Sequence, residues 1–515
     1  MPEKGSSKWI ITITVIVGSL LELIDTTIVN VSLPQIMGNL GATLSDVSWV
    51  VTGYAVANVI VLPMSGWLAG RFGRRNYFLG SIIIFTVASF FCGNADSLLM
   101  LVIFRIIQGL AGGGLLSTAQ TILIDTWPRE EIGMANALFG LGAVLGPAVG
   151  PTIGGYITDN YSWPWIFYVN IPVGILAGVF VFIFIKNTKN ENISRRIDWT
   201  GIALLALCIG CLQVVLEKGE TEDWFETAYI SVLTFISLVA SIAFIWRELS
   251  IDYPIVNLRI LRYRSFSAGM LTSFALGFGM YSSVFALPIL CQNILGFSAQ
   301  QTGELMFPGS VVTMFIMPIT GTLLKKGFPA QFLATGGMIL FFIFTQMLSV
   351  SNVFSGPNDF FWPLMVRGVG MAILFVPLTT LAIQDLHGAE IGQGTGLNNM
   401  MRQLGGSFGI ALSNTILAHR AAFHRVNLVS YMNSYSDAFT ERLRMLTNSF
   451  IAKGYTPLDA ESKAHKALDG IMTKQSMILS YNDIFWLVGF FMLFCIPLIY
   501  LQKFKKNVAI PVDAH

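Results

Sequence analysis

Glu22 and Asp25 stand three residues apart inside an unbroken apolar run, so both side chains leave one face of a single helix. A charged side chain within a bilayer costs about 2.5–3.5 kcal/mol by insertion scales and needs a reason to be there. Asp25 lies roughly 23 Å along the axis from the start of its run, at about 1.5 Å per residue. Two carboxylates this close in a poorly hydrated site resist ionising together, so the pair is suited to taking up and releasing a proton, with Asp25 the expected carrier and Glu22 the next candidate. Further on, Arg105 and Gln108 share a face of another apolar run. A permanent cation there either pairs with a carboxylate and takes part in proton transfer, or clamps helix carbonyls as a structural element. Arg367 and Arg402 are the other arginines inside apolar runs, and Glu304 sits near the outer end of its run and reads as interfacial.

The elements that must carry these residues are membrane helices. The chain has 515 residues, 54% hydrophobic and 12% charged, and a soluble domain carries about twice that charged share. Runs of about 20 apolar residues recur along most of it, each long enough to cross about 30 Å of hydrocarbon. Within lipid only helices, or closed barrels, satisfy their own backbone. The runs predict fourteen spans, from 10–32 to 481–501, with a pair at 198–216 and 227–246 between two groups of six. The first run follows Lys4 and Lys8 but is too long for a cleaved signal peptide and reads as the first span. One set of alternate short loops holds Arg71, Arg74, Arg75, Arg129, Arg195, Arg196, Arg247, Arg259, Lys325 and Lys326. The other set holds Lys218 amid Glu217, Glu220, Glu222 and Asp223. This asymmetry places both termini in the cytoplasm.

Gly142, Gly146, Gly150 and Gly154 recur every fourth residue and make one bare helix face, while Pro147 and Pro151 remove backbone donors from the same helix. Close packing alone accounts for the glycines; with the prolines they suggest a bending or sealing element. The two groups of six also look related. Phe104-Arg105-Ile-Ile-Gln-Gly109 has a counterpart in Val366-Arg367-Gly-Val-Gly370, and Gly66 to Arg75 in Gly321 to Gly327. The expected organisation is a first six-helix bundle over 1–190, an inserted helix pair over 191–250 and a second bundle over 251–515. Duplicated bundles with a site between them are a carrier architecture. A polar segment from about 418 to 480 is expected outside the membrane as short amphipathic helices, either a plain surface hairpin or a docking surface.

Other chemistries find no support. There is no Gly-Lys-Ser/Thr phosphate loop, no patterned basic stripe for nucleic acid and no clustered catalytic set. Cys208 and Cys211 have metal spacing but lie inside a span with no second pair, and the five histidines make no ligand pattern. No metal or cofactor is expected.

At these residues the chain resembles the major facilitator superfamily, specifically its fourteen-span drug:proton antiporters of the EmrB/QacA type. Leu23 to Pro34 is similar to the first-helix signature, whose acid is Asp25; Gly66 to Arg75 to the loop between helices 2 and 3; Arg105 to Gly109 to the fourth-helix motif; Gly142 to Gly155 to the antiporter motif. Together they cover the N-terminal third, and Asp223-Trp-Phe225, Pro254-Ile-Val256 and Met401 to Gly406 extend the likeness. The resemblance implies an all-α facilitator fold in a bacterial inner membrane, exporting hydrophobic or cationic compounds in exchange for protons. It implies proton coupling through Asp25, Glu22 and Arg105. It implies conformational gating through Gly66, Arg71, Gly73, Arg74, Arg75, Gln108, Gly109, Gly142, Gly146, Pro147, Gly150 and Gly154. Asn30, Tyr281, Phe285, Asn398 and Arg402 are cavity candidates by position. The long segment before the last helix is similar to inner-membrane subunits of tripartite pumps, which implies a periplasmic adaptor and, through it, an outer-membrane channel. Gly70 stands where the loop motif has its acid, so a gating salt bridge through that position is not carried over; the loop arginines remain free to hold a facing helix end or lipid headgroups. Export of one defined metabolite, lipid or siderophore is the alternative within this fold.

Overall fold

The computed structural model describes residues 5–186, 197–433 and 436–502. The expected boundary near 190, Arg195, Arg196 and the two ends of the chain lie outside them. The described residues form fifteen long helices, some with short breaks, and no strands. They are α1 (Gly5–Leu40), α2 (Ser45–Phe72), α3 (Arg74–Gly93), α4 (Leu98–Thr126), α5 (Ile132–Asn160), α6 (Trp165–Phe184), α7 (Trp199–Lys218) and α8 (Ala228–Ser250). Then come α9 (Arg264–Ile294), α10 (Ala299–Lys325), α11 (Ala330–Leu348), α12 (Pro357–Ile383), α13 (Ala389–Ser430), α14 (Asp437–Ala452) and α15 (Pro457–Phe494).

Among the described residues, twelve helices are long and apolar enough to cross a membrane. Two more, α5 and α13, run beside them at 29 and 42 residues and pack on α1 and α10, and on α9 and α15. The apolar character of α13 is diluted by Asn398, Asn399 and Arg402, which are turned inward and buried. Helix ends follow local chemistry. The Ser97 hydroxyl accepts from the Met100 amide at the start of α4, and Ser298 and Gln301 cap α10 reciprocally. Between α2 and α3 the chain turns at Gly73 with φ of +88°, a conformation that favours glycine.

The first six helices pack mainly on one another, as do α9 to α13 together with α15. The glycine face of α5 lies against α1: an added Cβ at Gly146 would come within 2.5 Å of Leu23 Cβ, and at Gly150 and Gly154 it would strike Thr27 and Ile28. The inserted pair packs as a unit. Its inner helix α7 touches both α2 and α13, whereas α8 leaves Phe235, Leu238, Ile242 and Trp246 exposed. Lys218, expected in a loop, is instead buried and donates to the Ser45 carbonyl and the Ser48 hydroxyl at the start of α2. Cys208 meets the Ser241 hydroxyl between α7 and α8, and all five cysteines are free.

The segment at 418–480 corrects the expectation of separate short helices. Here α13 continues unbroken to Ser430 and α15 begins at Pro457, so two bundle helices extend outward, and only α14 is a separate amphipathic helix laid on α15. Asp483 on α15 accepts from Arg420 at 2.6 Å and sits 2.7 Å from His424 Nε2, both on α13, while Arg425 pairs with Asp469. A helix need not end where it leaves the hydrocarbon. Polar residues suited to helix continue it once water replaces lipid.

Candidate functional site

Packing of α1 against α4 and α6 turns Asp25 inward until it is fully buried. Its Oδ2 accepts from the Arg105 guanidinium at 2.5 Å, and its Oδ1 accepts from Gln108 and Asn170 amides at 3.0 Å each. Arg105 also donates to Gln108 Oε1 at 2.6 Å and, through Nε, to the Val50 carbonyl at 3.1 Å, with the Tyr54 ring 4.1 Å below its charge. Gln108 and Asn170 both reach the Ser89 hydroxyl. Five of the first six helices thus meet at one buried ion pair whose polar atoms are closely matched.

Glu22, one turn earlier on α1, has different company. It is 4% exposed and accepts from Asn58 at 2.8 Å and from the Leu116 backbone amide at 3.1 Å, with no cation in contact. Arg402, from α13 in the other half, is within electrostatic reach. A carboxylate held this way carries its charge at a cost unless it is protonated or a cation approaches. Its neighbours on α4 are Gly112 and Gly113, whose bare faces admit Tyr54 and Asn58.

Beyond Glu22, toward the face that the loop charges mark as cytoplasmic, an uncharged polar layer joins the halves. Asn399 donates to Ser117 and Gln120, Gln120 donates to Asn136, and Asn136 donates to Thr380, all at 3.1–3.3 Å. At the surface Glu131 accepts from Lys8 at 2.7 Å and from Lys325 at 2.8 Å, so one carboxylate ties α1 to α10. The Lys325 and Lys8 ammonium groups hold its carboxyl below the usual range. Helix backbones also touch here. An added Cβ at Gly66 would lie 2.5 Å from Gln393 N, and one at Gly321 would lie 3.0 Å from Gly133 O, so the related loop glycines make related contacts with the opposite half. This face is closed.

The remaining expected residues fall as follows. Arg74 pairs with Asp125 on α4, so the loop arginine meets a carboxylate even though Gly70 supplies none. Arg71 lies over the Trp67 ring and Arg75 over Phe182. Gly109 approaches the Tyr54 carbonyl and Gly142 packs on α1, while the side chain of Pro147 lies outside the described set. Tyr281 donates to Gln403, Phe285 is half-buried, and Asn398 accepts from Ser273 at 2.6 Å with its Nδ2 unpartnered. Arg402 is buried over Phe375 with one guanidinium nitrogen unpartnered, and Asn30 is exposed. Glu304 is exposed and accepts from Gln300. Sequence reasoning missed Asn58, Ser89, Asn170, Asn136, Asn399 and Glu131. The amides carried a signal, being hydrogen-bonding side chains inside apolar runs. Among the described residues no group of His, Cys, Asp and Glu is placed to hold a metal ion.

Comparison with known proteins agrees with this architecture. The family model "Major Facilitator Superfamily" matches residues 15–410. The chain is 33% identical over 506 residues to the multidrug export protein EmrB of Escherichia coli K12, covering 98% of this chain and 96% of the relative. It is 31% identical to the fatty acid resistance protein FarB of Neisseria gonorrhoeae (98% and 97% covered) and 28% identical to the colistin resistance protein EmrB of Acinetobacter baumannii (98% of each). Among solved structures, the human organic anion transporter MFSD10 shares the fold with a TM-score of 0.59 at 13% identity, over 94% of this chain and 99% of that one.

Proposed function

This chain belongs to the Major Facilitator Superfamily, and from that premise we propose that it exports hydrophobic drugs by alternating access, exchanging them for protons. It is a multi-pass membrane transporter related to multidrug exporters. In this reading it lies in a bacterial inner membrane with both termini in the cytoplasm, and its two six-helix bundles rock about the cleft between them. The observation that carries the coupling is the contrast between two carboxylates one turn apart. Asp25 is committed to Arg105 and two amides, while Glu22 has two neutral donors, the Asn58 amide and the Leu116 N–H, and only a distant cation in Arg402. Glu22 exchanges the proton, and the Asp25–Arg105 pair fixes α1 against α4 so that Glu22 points correctly. When the cytoplasmic layer parts, Glu22 releases its proton inward and an apolar, often cationic, substrate takes up the vicinity of its charge. The outward prolongation of α13 and α15 with α14 supplies a helical platform, which suits a periplasmic adaptor leading to an outer-membrane channel.

The test is uphill transport of a fluorescent cation into proteoliposomes driven by a pH gradient alone. Glu22→Gln should remove gradient-driven uptake while counterflow of preloaded substrate persists, because exchange of substrate for substrate needs no proton. Undiminished gradient-driven uptake by Glu22→Gln would move the proton to Asp25.

A further inference from the structure

The halves are related through Arg105 and Arg367, yet the two arginines are treated differently. Around Arg105, α1 supplies Asp25, α4 supplies Gln108 and α3 supplies Ser89. The corresponding environment of Arg367 on α12 is apolar. The α9 residue in the same cavity is Val284, the residue three positions on is Gly370, and α11, the third helix of its half, offers the Phe344 ring 5.9 Å away. Arg367 Nε has no hydrogen-bond partner, and no ion pair to this side chain forms among the described residues. The space beside it is about 20 Å³, enough for a water-sized group and far too small for a drug. Its other polar lining residues have spent their protons: Ser310 donates to Met306 O, and Thr313 donates to Gly309 O and Gly368 O. The guanidinium is therefore the donor that faces this space, which also opens toward Val144 on α5, across the cleft.

A half-buried cation walled by apolar side chains gains from a counter-charge, and the first half shows how this fold provides one internally. We infer that Arg367 is a binding point for the anionic group of an exogenous ligand, a carboxylate head or an inorganic anion, which supplies the charge that Asp25 supplies to Arg105 within the chain. The small volume takes the head alone, and an apolar tail would lie along Met306 and Met371 toward the cleft. The inference does not depend on which ion drives transport, and its test uses no proton gradient.

The experiment uses the full chain, purified in uncharged detergent. Equilibrium binding is measured for decanoate and for decyltrimethylammonium, which share a tail and differ in head charge, and thermal melting is compared in chloride and in gluconate. Arg367→Gln should raise the Kd for decanoate on the order of tenfold or more, the loss expected for charge-assisted hydrogen bonds, and leave decyltrimethylammonium unaffected. Val284→Asp should do the same by giving Arg367 an internal partner, and it decides the matter if Arg367→Gln does not fold. If instead chloride raises the melting temperature of the wild type but of neither variant, the anion is inorganic and the site stands. Decanoate affinity and chloride response that are the same in wild type and Val284→Asp would overturn the inference.

Discussion

Gly66→Ala tests the closure of the face that the loop charges mark as cytoplasmic, with a single methyl group. The new Cβ would sit 2.5 Å from both Gln393 N and Gly392 C and 2.7 Å from Gln393 Cα. All three are backbone atoms of α13, so no side chain can swing aside. Ordinary contact begins near 3.4 Å, so α2 and α13 must part by about 1 Å. Overpacking of this kind costs about 1–3 kcal/mol. Because the strain exists only while the halves touch, it shifts the closed–open equilibrium by roughly 5- to 150-fold. Ile124 lies between the halves at this face, 5% exposed, and serves as reporter when replaced by cysteine in a cysteine-free background. Its rate of modification by a water-soluble maleimide in everted vesicles should rise by that factor. Gly321→Ala, whose Cβ would meet Gly133 O and Met134 Cα at 3.0 Å, should give a smaller rise. Gly80→Ala, with nothing within 4 Å, should give none. Modification of Gly66→Ala at the wild-type rate would refute the argument that backbone contact between α2 and α13 closes the face.

Asp25→Asn leaves Arg105 buried without its counter-charge and should destabilise the protein by about 3–5 kcal/mol, visible as a lower melting temperature. Arg105→Gln in the same chain should recover part of that loss, and additive single and double effects would contradict the pairing. Glu131→Gln removes a half-exposed tie between α1 and α10 and should speed modification of the Ile124→Cys reporter by less than about fivefold, since such surface pairs are weak. Because the folded-state carboxyl of Glu131 is held down by Lys325 and Lys8, its contribution is complete above the usual value of 4.5 and is lost as pH falls through the depressed one. At matched pH, the excess of reporter modification in Glu131→Gln over the wild type should therefore shrink toward none as pH falls below 4.5.

The residues that matter inside the membrane were legible in the sequence because hydropathy is a property of consecutive residues. Glu22, Asp25, Arg105 and Gln108 are conspicuous against apolar neighbours, and the glycines of α5 declare their bare face by their spacing alone. Pairing is another kind of information. Asp25 and Arg105 are 80 residues apart, and whether Asp25 or Glu22 would receive the guanidinium depended on the rotation of α1 against α4, which many packing contacts set together. That rotation gave Asp25 three donors from α4 and α6 and left Glu22 with the neutral Asn58 amide and Leu116 N–H. The same limit explains the outer segment. Loss of hydropathy near 418 marks where the chain leaves lipid, but water neither ends nor begins a helix, and it is tertiary contacts, among them Asp483 with Arg420 and His424 and Asp469 with Arg425, that fix the prolonged α13 and α15 side by side. The polar layer of Gln120, Asn136 and Asn399 and the bridge from Glu131 to Lys8 and Lys325 join residues from opposite halves. Composition supplied the side chains for these contacts. The closed arrangement of the two halves decided which of them would meet.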